Sequence, residues 1–230
     1  MAAWRAFDRV AMRAGYGAWR VGVNLGLLVV LLLLAPAARA APVAILAYGD
    51  SLTAGFGLAE AEGFPAQLQA ALAGRRIAAR VADGGVSGDT SAGGLARLDW
   101  SLVDKPDLVI LELGANDALR GLDPAVTRAN LDAILARLKA AGVAVLIAGM
   151  RAPPNLGRDY AAAFDKLYPE LAAKYGVPLY PFFLDGVAID PHLTQPDGLH
   201  PNAAGVRVIV ERLLPTLLPT IAALKRGGAG

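Results

Sequence analysis

The chain has 230 residues, 55% of them apolar, with 22 Lys and Arg against 20 Asp and Glu, two histidines and no cysteine. Without cysteine there is no disulfide, no Cys-ligated zinc and no thiol nucleophile, and two histidines exclude a His-rich metal site. The near balance of charge offers no basic face for nucleic acid.

The first forty residues read as an address. Arg5, Arg9, Arg13 and Arg20 precede "LGLLVVLLLLA" (25–35), an apolar run of eleven residues. Such a run is too short to span a bilayer comfortably but is the length of a signal-peptide core. Ala38-Arg39-Ala40 fits the small-x-small cleavage rule, so residues 1–40 are expected to be a signal peptide and 41–230 one domain. An uncleaved membrane anchor is the rival reading, and Met12 is an alternative start. The leader carries five Arg and one Asp, so its removal turns 22 basic and 20 acidic residues into 17 and 19, a net charge of −2. No stable membrane span is expected after cleavage. An exported chain without disulfides suits the bacterial periplasm or secretion.

Past residue 40, short apolar runs alternate with helical patterns. "VAILAY" (43–48), "IAARVA" (77–82), "DLVILEL" (107–113), "VAVLIAG" (143–149) and "VPLYPFF" (177–183) are the strands. Their continuous hydrophobicity predicts strands buried on both faces, as in a parallel sheet. Between and after them, helices are predicted over 63–73, 91–101, 124–141, 158–175 and 202–224. Pro124 after Asp123, and Gly142 beyond, punctuate the third helix. Strand and helix in alternation give a three-layer, doubly wound α/β domain.

Ligands in such folds sit at the carboxyl ends of the strands. Polar and glycine-rich segments collect there: "YGDSLTAGFGL" (48–58), "DGGVSGDTS" (83–91), "GANDALRG" (114–121) and "PDGLHPN" (196–202). Taken alone, Asp50-Ser51 is a turn or a helix cap. A serine becomes a nucleophile only when a base takes its proton, and His200, with Asp197 three residues earlier, is placed to be that base. His192, in "IDPHLTQ", reads as a loop histidine. There is no G-x-S-x-G elbow, no P-loop and no dinucleotide fingerprint.

The four segments together resemble the GDSL, or SGNH, hydrolase family: Gly49-Asp50-Ser51-Leu52, Gly88, Gly114-Ala115-Asn116-Asp117 and Asp197-Gly198-Leu199-His200, in the family's order over residues 43–215. "SGDTSAGGLARL", "ELGAND" and "DGLHPN" are similar to its bacterial periplasmic thioesterase, lysophospholipase and arylesterase branch; Ala115 departs mildly from the pattern, where glycine is common. The resemblance implies a flavodoxin-like α/β/α fold with a mostly parallel five-stranded sheet. It also implies a Ser51, His200, Asp197 triad and an oxyanion hole of the Ser51 N–H, the Gly88 N–H and the Asn116 side chain. Esters and thioesters with acyl chains, small molecules or lipids, are the implied substrates, with no metal or organic cofactor.

Leu119, Met150, Pro153 and Leu156, with Phe56, Leu58, Leu122 and Pro154, are either ordinary packing or the wall of an acyl groove. Asp50, Asp89 and Asp117 are expected to hold loops. Glu112, in an apolar strand, needs a partner if buried, and Arg151 is the candidate. Two other functions compete: a deacetylase acting on a cell-envelope sugar, and a flavodoxin-like binding module without catalysis.

Overall fold

The computed structural model describes residues 41–227, and the predicted leader with its cleavage site lies outside the described residues. The chain runs β1 (Val43–Gly49), α1 (Ser51–Ala54), α2 (Phe64–Gly74), β2 (Ala79–Gly85), α3 (Ser91–Ser101), β3 (Leu108–Glu112), α4 (Ala115–Leu119) and α5 (Pro124–Ala140). It continues through β4 (Ala144–Ala148), α6 (Arg158–Asp165), α7 (Leu167–Tyr175) and β5 (Leu179–Tyr180) to the long α8 (Ala203–Gly227).

The five strands pair in parallel in the order β2-β1-β3-β4-β5. This is the flavodoxin-like order, with a topological switch between β1 and β3. On one side α2 packs on α8; on the other α3 packs on α5 and α5 on α7. Every residue of β3 is buried, which is why its sequence runs apolar without alternation. β2 lies at the edge and exposes alternate residues.

Register decides what meets at the carboxyl edge. Gly49 stands opposite both Gly85 of β2 and Glu112 of β3, so three strand ends align. A Cβ on Gly49 would come within 2.5 Å of Glu112 Oε2, so only glycine lets the turn into α1 close over that carboxyl.

Two predicted elements are cut by proline. The expected helix over 158–175 breaks at Lys166 into α6 and α7. Pro169 has no N–H to offer and its ring excludes the carbonyl of Asp165, four residues back. The expected strand over 177–183 shrinks to Leu179–Tyr180, because Pro178 and Pro181 flank it. The second strand starts at Ala79 rather than 77 and extends through Gly85, pairing with the full length of β1.

Candidate active site

The turn after β1 builds the first wall. Asp50 caps α1, its Oδ1 accepting from the Leu52 N–H at 3.0 Å, and this presents Ser51 at the helix start. Ser51 Oγ lies 2.9 Å from His200 Nε2, and His200 Nδ1 lies 2.6 Å from Asp197 Oδ2. Asp197 Oδ1 also accepts from the N–H groups of Leu199 and His200 at 2.9 and 3.0 Å. The His200 imidazole, helped by those two N–H groups, holds Asp197 down to about 2, so it stays an acceptor. A carboxylate accepts only, so Nδ1 carries the proton and Nε2 is left as the acceptor for the serine O–H.

The loop bearing the histidine is braced from several sides. The Gln195 N–H donates to the His200 carbonyl at 2.7 Å, and Gln195 Nε2 donates to the carbonyl of Phe56 at 2.7 Å. Asn202 caps α8 through Oδ1, which accepts from Ala204 and Gly205, while its Nδ2 donates to the His192 carbonyl at 2.9 Å. His192 itself is exposed and takes part through its backbone.

The expected oxyanion donors border the same space. Gly88 has φ +84°, a conformation that favours glycine, and its carbonyl accepts from Arg120 Nη2 at 2.8 Å. Among the described residues, neither the Ser51 nor the Gly88 N–H has an acceptor. Asn116 Nδ2 donates to Asp50 Oδ2 at 3.0 Å and to the Asp89 carbonyl at 2.9 Å.

Asp117 and Asp89 hold loops, as Asp50 does at the start of α1. Asp117 is buried and accepts from the Ser91 N–H at 2.7 Å, from Ser91 Oγ and from Thr127 Oγ1 at 3.1 Å, joining α3, α4 and α5. Asp89 pairs with Arg97 at 2.6 Å, and Arg97 Nη2 donates to the Gly49 carbonyl at 2.8 Å. The expected Glu112–Arg151 pair does not form. Glu112 is buried under α1, where Oε2 accepts from Thr53 Oγ1 at 2.8 Å. Arg151 instead lies over the Phe182 ring, 5.0 Å from its centroid, on the exposed side. Register explains the separation: Glu112 ends β3 against Gly49, while Arg151 follows β4 beyond the sheet edge.

Beside Ser51 opens an apolar cavity of about 420 Å³, lined by Phe56, Leu119, Met150, Pro153, Phe182 and Ile189 among others. That is the scale of a small-molecule site. Leu58, Leu122 and Leu156 are not part of the lining. A one-turn 3₁₀ helix over Pro154–Leu156 closes with the Leu156 N–H on the Pro153 carbonyl, and the chain turns toward α6 before Leu156 reaches the cavity.

Sequence reasoning missed Phe182 and Ile189. The first was absorbed into a strand that Pro181 ends. The second stands 94% exposed at the mouth with φ +63°, a region that β-branched residues rarely occupy.

A family model for the GDSL-like lipase/acylhydrolase family matches residues 47–208. The chain belongs to this family. It is 43% identical over 184 residues to the esterase TesA of Pseudomonas aeruginosa, covering 80% of this chain and 92% of the relative. Over 183 residues it is 39% identical to thioesterase 1/protease 1/lysophospholipase L1 of Escherichia coli K12, covering 79% and 86%. The crystal structure of AlinE4, an SGNH-hydrolase family esterase, superposes with a TM-score of 0.67 at 48% identity, covering 80% of this chain and 98% of that one. The GDSL segment after β1 and the histidine loop before α8 both fall inside the matched region.

Proposed function

We propose that this chain is an exported serine esterase that hydrolyses acyl esters and thioesters through an acyl-enzyme on Ser51. The observation that carries the reading is the relay from Ser51 Oγ to His200 Nε2 and from His200 Nδ1 to Asp197, opening onto the apolar cavity.

The chemistry follows from those positions. His200 Nε2 takes the proton as Ser51 Oγ bonds to the acyl carbon, and the carbonyl oxygen becomes an oxyanion. Asp197 steadies the imidazolium. The bond to the leaving alcohol or thiol then breaks, and His200 returns the proton to it. A water activated by the same nitrogen attacks the acyl-enzyme, releasing the carboxylic acid and Ser51.

The N–H groups of Ser51 and Gly88 are free to meet the oxyanion. Both hydrogens of Asn116 Nδ2 are engaged in the resting site, one on a carboxylate and one on a neutral carbonyl. Charge-assisted bonds are the stronger kind, so the hydrogen on the Asp89 carbonyl is the one that the oxyanion comes to share. Asp50 keeps the other and with it the orientation of the amide.

Apolar lining favours an acyl chain over an acetyl group on a sugar, which supports the esterase reading over the deacetylase one. The basic, apolar leader and its cleavage rule support export to the periplasm or beyond. No helix among the described residues is long and apolar enough to cross a membrane. The experiment that tests this function is turnover of acyl esters and acyl thioesters by residues 41–230, with Ser51→Ala as the control; hydrolysis lost in that variant is the expected result.

A further inference from the structure

Glu112 is a carboxyl that the hydrolytic sequence above does not use. It ends the wholly buried strand β3 and is 1% exposed. Its Oε2 accepts from Thr53 Oγ1 at 2.8 Å and from the Asp50 N–H at 3.3 Å. Its Oε1 is buried with no N–H or hydroxyl donor among the described residues. The Asp50 backbone meets Glu112 at Oε2, and the two carboxyls are neighbours.

Asp50 is as deeply buried, and both of its oxygens already accept, Oδ1 from Leu52 and Oδ2 from Asn116. No Lys or Arg pairs with either carboxyl among the described residues. Two adjacent carboxylates in a dry site, with no cation between them, cannot both stay ionised. One proton resolves the conflict and also gives the unmatched oxygen of Glu112 a use.

We propose that Glu112 is held as the neutral acid and donates its proton to Asp50, and that this hydrogen bond positions the turn carrying Ser51 together with the amide of Asn116. Glu112 is thus a positioning residue that acts through Asp50. Asp50 then accepts from three donors, Leu52, Asn116 and Glu112, each on a different segment of the carboxyl edge. Titration agrees with this assignment. Burial, and then the neighbouring Asp50 charge, push Glu112 well above the usual carboxylate range, while burial raises Asp50 only to about 6. Asp50 already accepts two N–H bonds while Glu112 Oε1 has none, so the shared proton sits on Glu112.

The inference rests on the esterase reading only for its kinetic half. Infrared difference spectroscopy of the full chain at neutral pH, wild type against Glu112→Gln, should show a protonated-carboxyl stretch in the wild type that is missing from the variant and shifts in D₂O. Glu112→Gln keeps an oxygen for Thr53 and an N–H for Asp50, so its kcat should stay within about threefold of wild type. Glu112→Leu removes both, and kcat should fall roughly 10- to 100-fold with KM unchanged, as for a bond to a charged group that serves the transition state. No protonated-carboxyl band in the wild type, or a Glu112→Gln as impaired as Glu112→Leu, overturns the proposal. Should Glu112→Leu fail to fold, the infrared comparison decides alone. Absence of ester turnover in the wild type would sink the esterase reading while leaving the band to decide the proton.

Discussion

The ring of Phe56 lies over the imidazole of His200, with centroids 4.7 Å apart and planes tilted by 38°. Phe56 comes from the turn just after Ser51, and its carbonyl accepts from Gln195 on the histidine loop. One residue thus joins the two halves of the relay, which are 149 positions apart in the chain. Aromatic pairs of this kind contribute about 0.5–1.5 kcal/mol beyond burial, equivalent to roughly a 2- to 10-fold change. Phe56→Ala is expected to lower kcat by about that factor. Its unfolding midpoint should hardly move, since the ring is half-exposed. Equal kcat for wild type and variant would show that the ring does not help to place the base.

Asn116 separates stabilisation of the transition state from binding. Removing one oxyanion donor costs ~10²- to 10³-fold in kcat in serine hydrolases, so Asn116→Ala is expected to fall in that range with little change in KM. A raised KM at constant kcat would instead make Asn116 a binding residue.

Chain-length dependence reads out the cavity. Each methylene buried is worth at most ~0.8 kcal/mol, a factor of roughly four in kcat/KM. p-Nitrophenyl esters are expected to improve from acetate to at least hexanoate and then level off. Leu119→Asp and Ile189→Asp should flatten the rise, because both residues line the cavity. Leu156→Asp should leave the slope intact, because Leu156 stands outside the lining. Acetate as the best substrate would favour the deacetylase.

Acid stability tests the Asp197–His200 bond. Unfolded Asp titrates near ~3.9, whereas Asp197 in the fold is held down to about 2. Between those values the unfolded chain binds a proton that the folded one does not, so stability rises with pH across the window and is lost as pH falls through it. The gap in urea midpoint between wild type and Asp197→Asn is therefore expected to shrink as pH is lowered from about 5 toward about 2. A gap independent of pH would mean that the carboxylate is not held by its partners.

The strands along the chain and the residues at their ends were legible because each signal is local. Val43–Gly49 is a continuous apolar run ending in Gly-Asp-Ser, and Pro124 marks its helix start directly. His200 was legible by elimination, since His192 lacks the family context. What escaped depends on register and on loop paths. The contact between Glu112 and Asp50, 62 positions apart, exists because Gly49 pairs with Glu112 across β1 and β3, a relation that no local pattern encodes. Phe182 and Leu156 exchanged places, one entering the cavity and the other leaving it, because Pro181 ends a strand and a 3₁₀ turn closes at Leu156. The break at Lys166, by contrast, was written in Pro169 and could have been read.

The triad members act as a unit, so Ser51→Ala and His200→Ala should each nearly abolish turnover, with the double variant little worse than either. Additive losses would mean that the two residues act in separate steps.

The most direct measurement is mass spectrometry of the protein after reaction with an activated phosphonate ester that labels serine nucleophiles. A single adduct on the peptide containing Ser51, absent from Ser51→Ala and slowed in His200→Ala, is the predicted result. Labelling of another residue, or unchanged labelling in His200→Ala, would contradict an acyl-enzyme mechanism at Ser51.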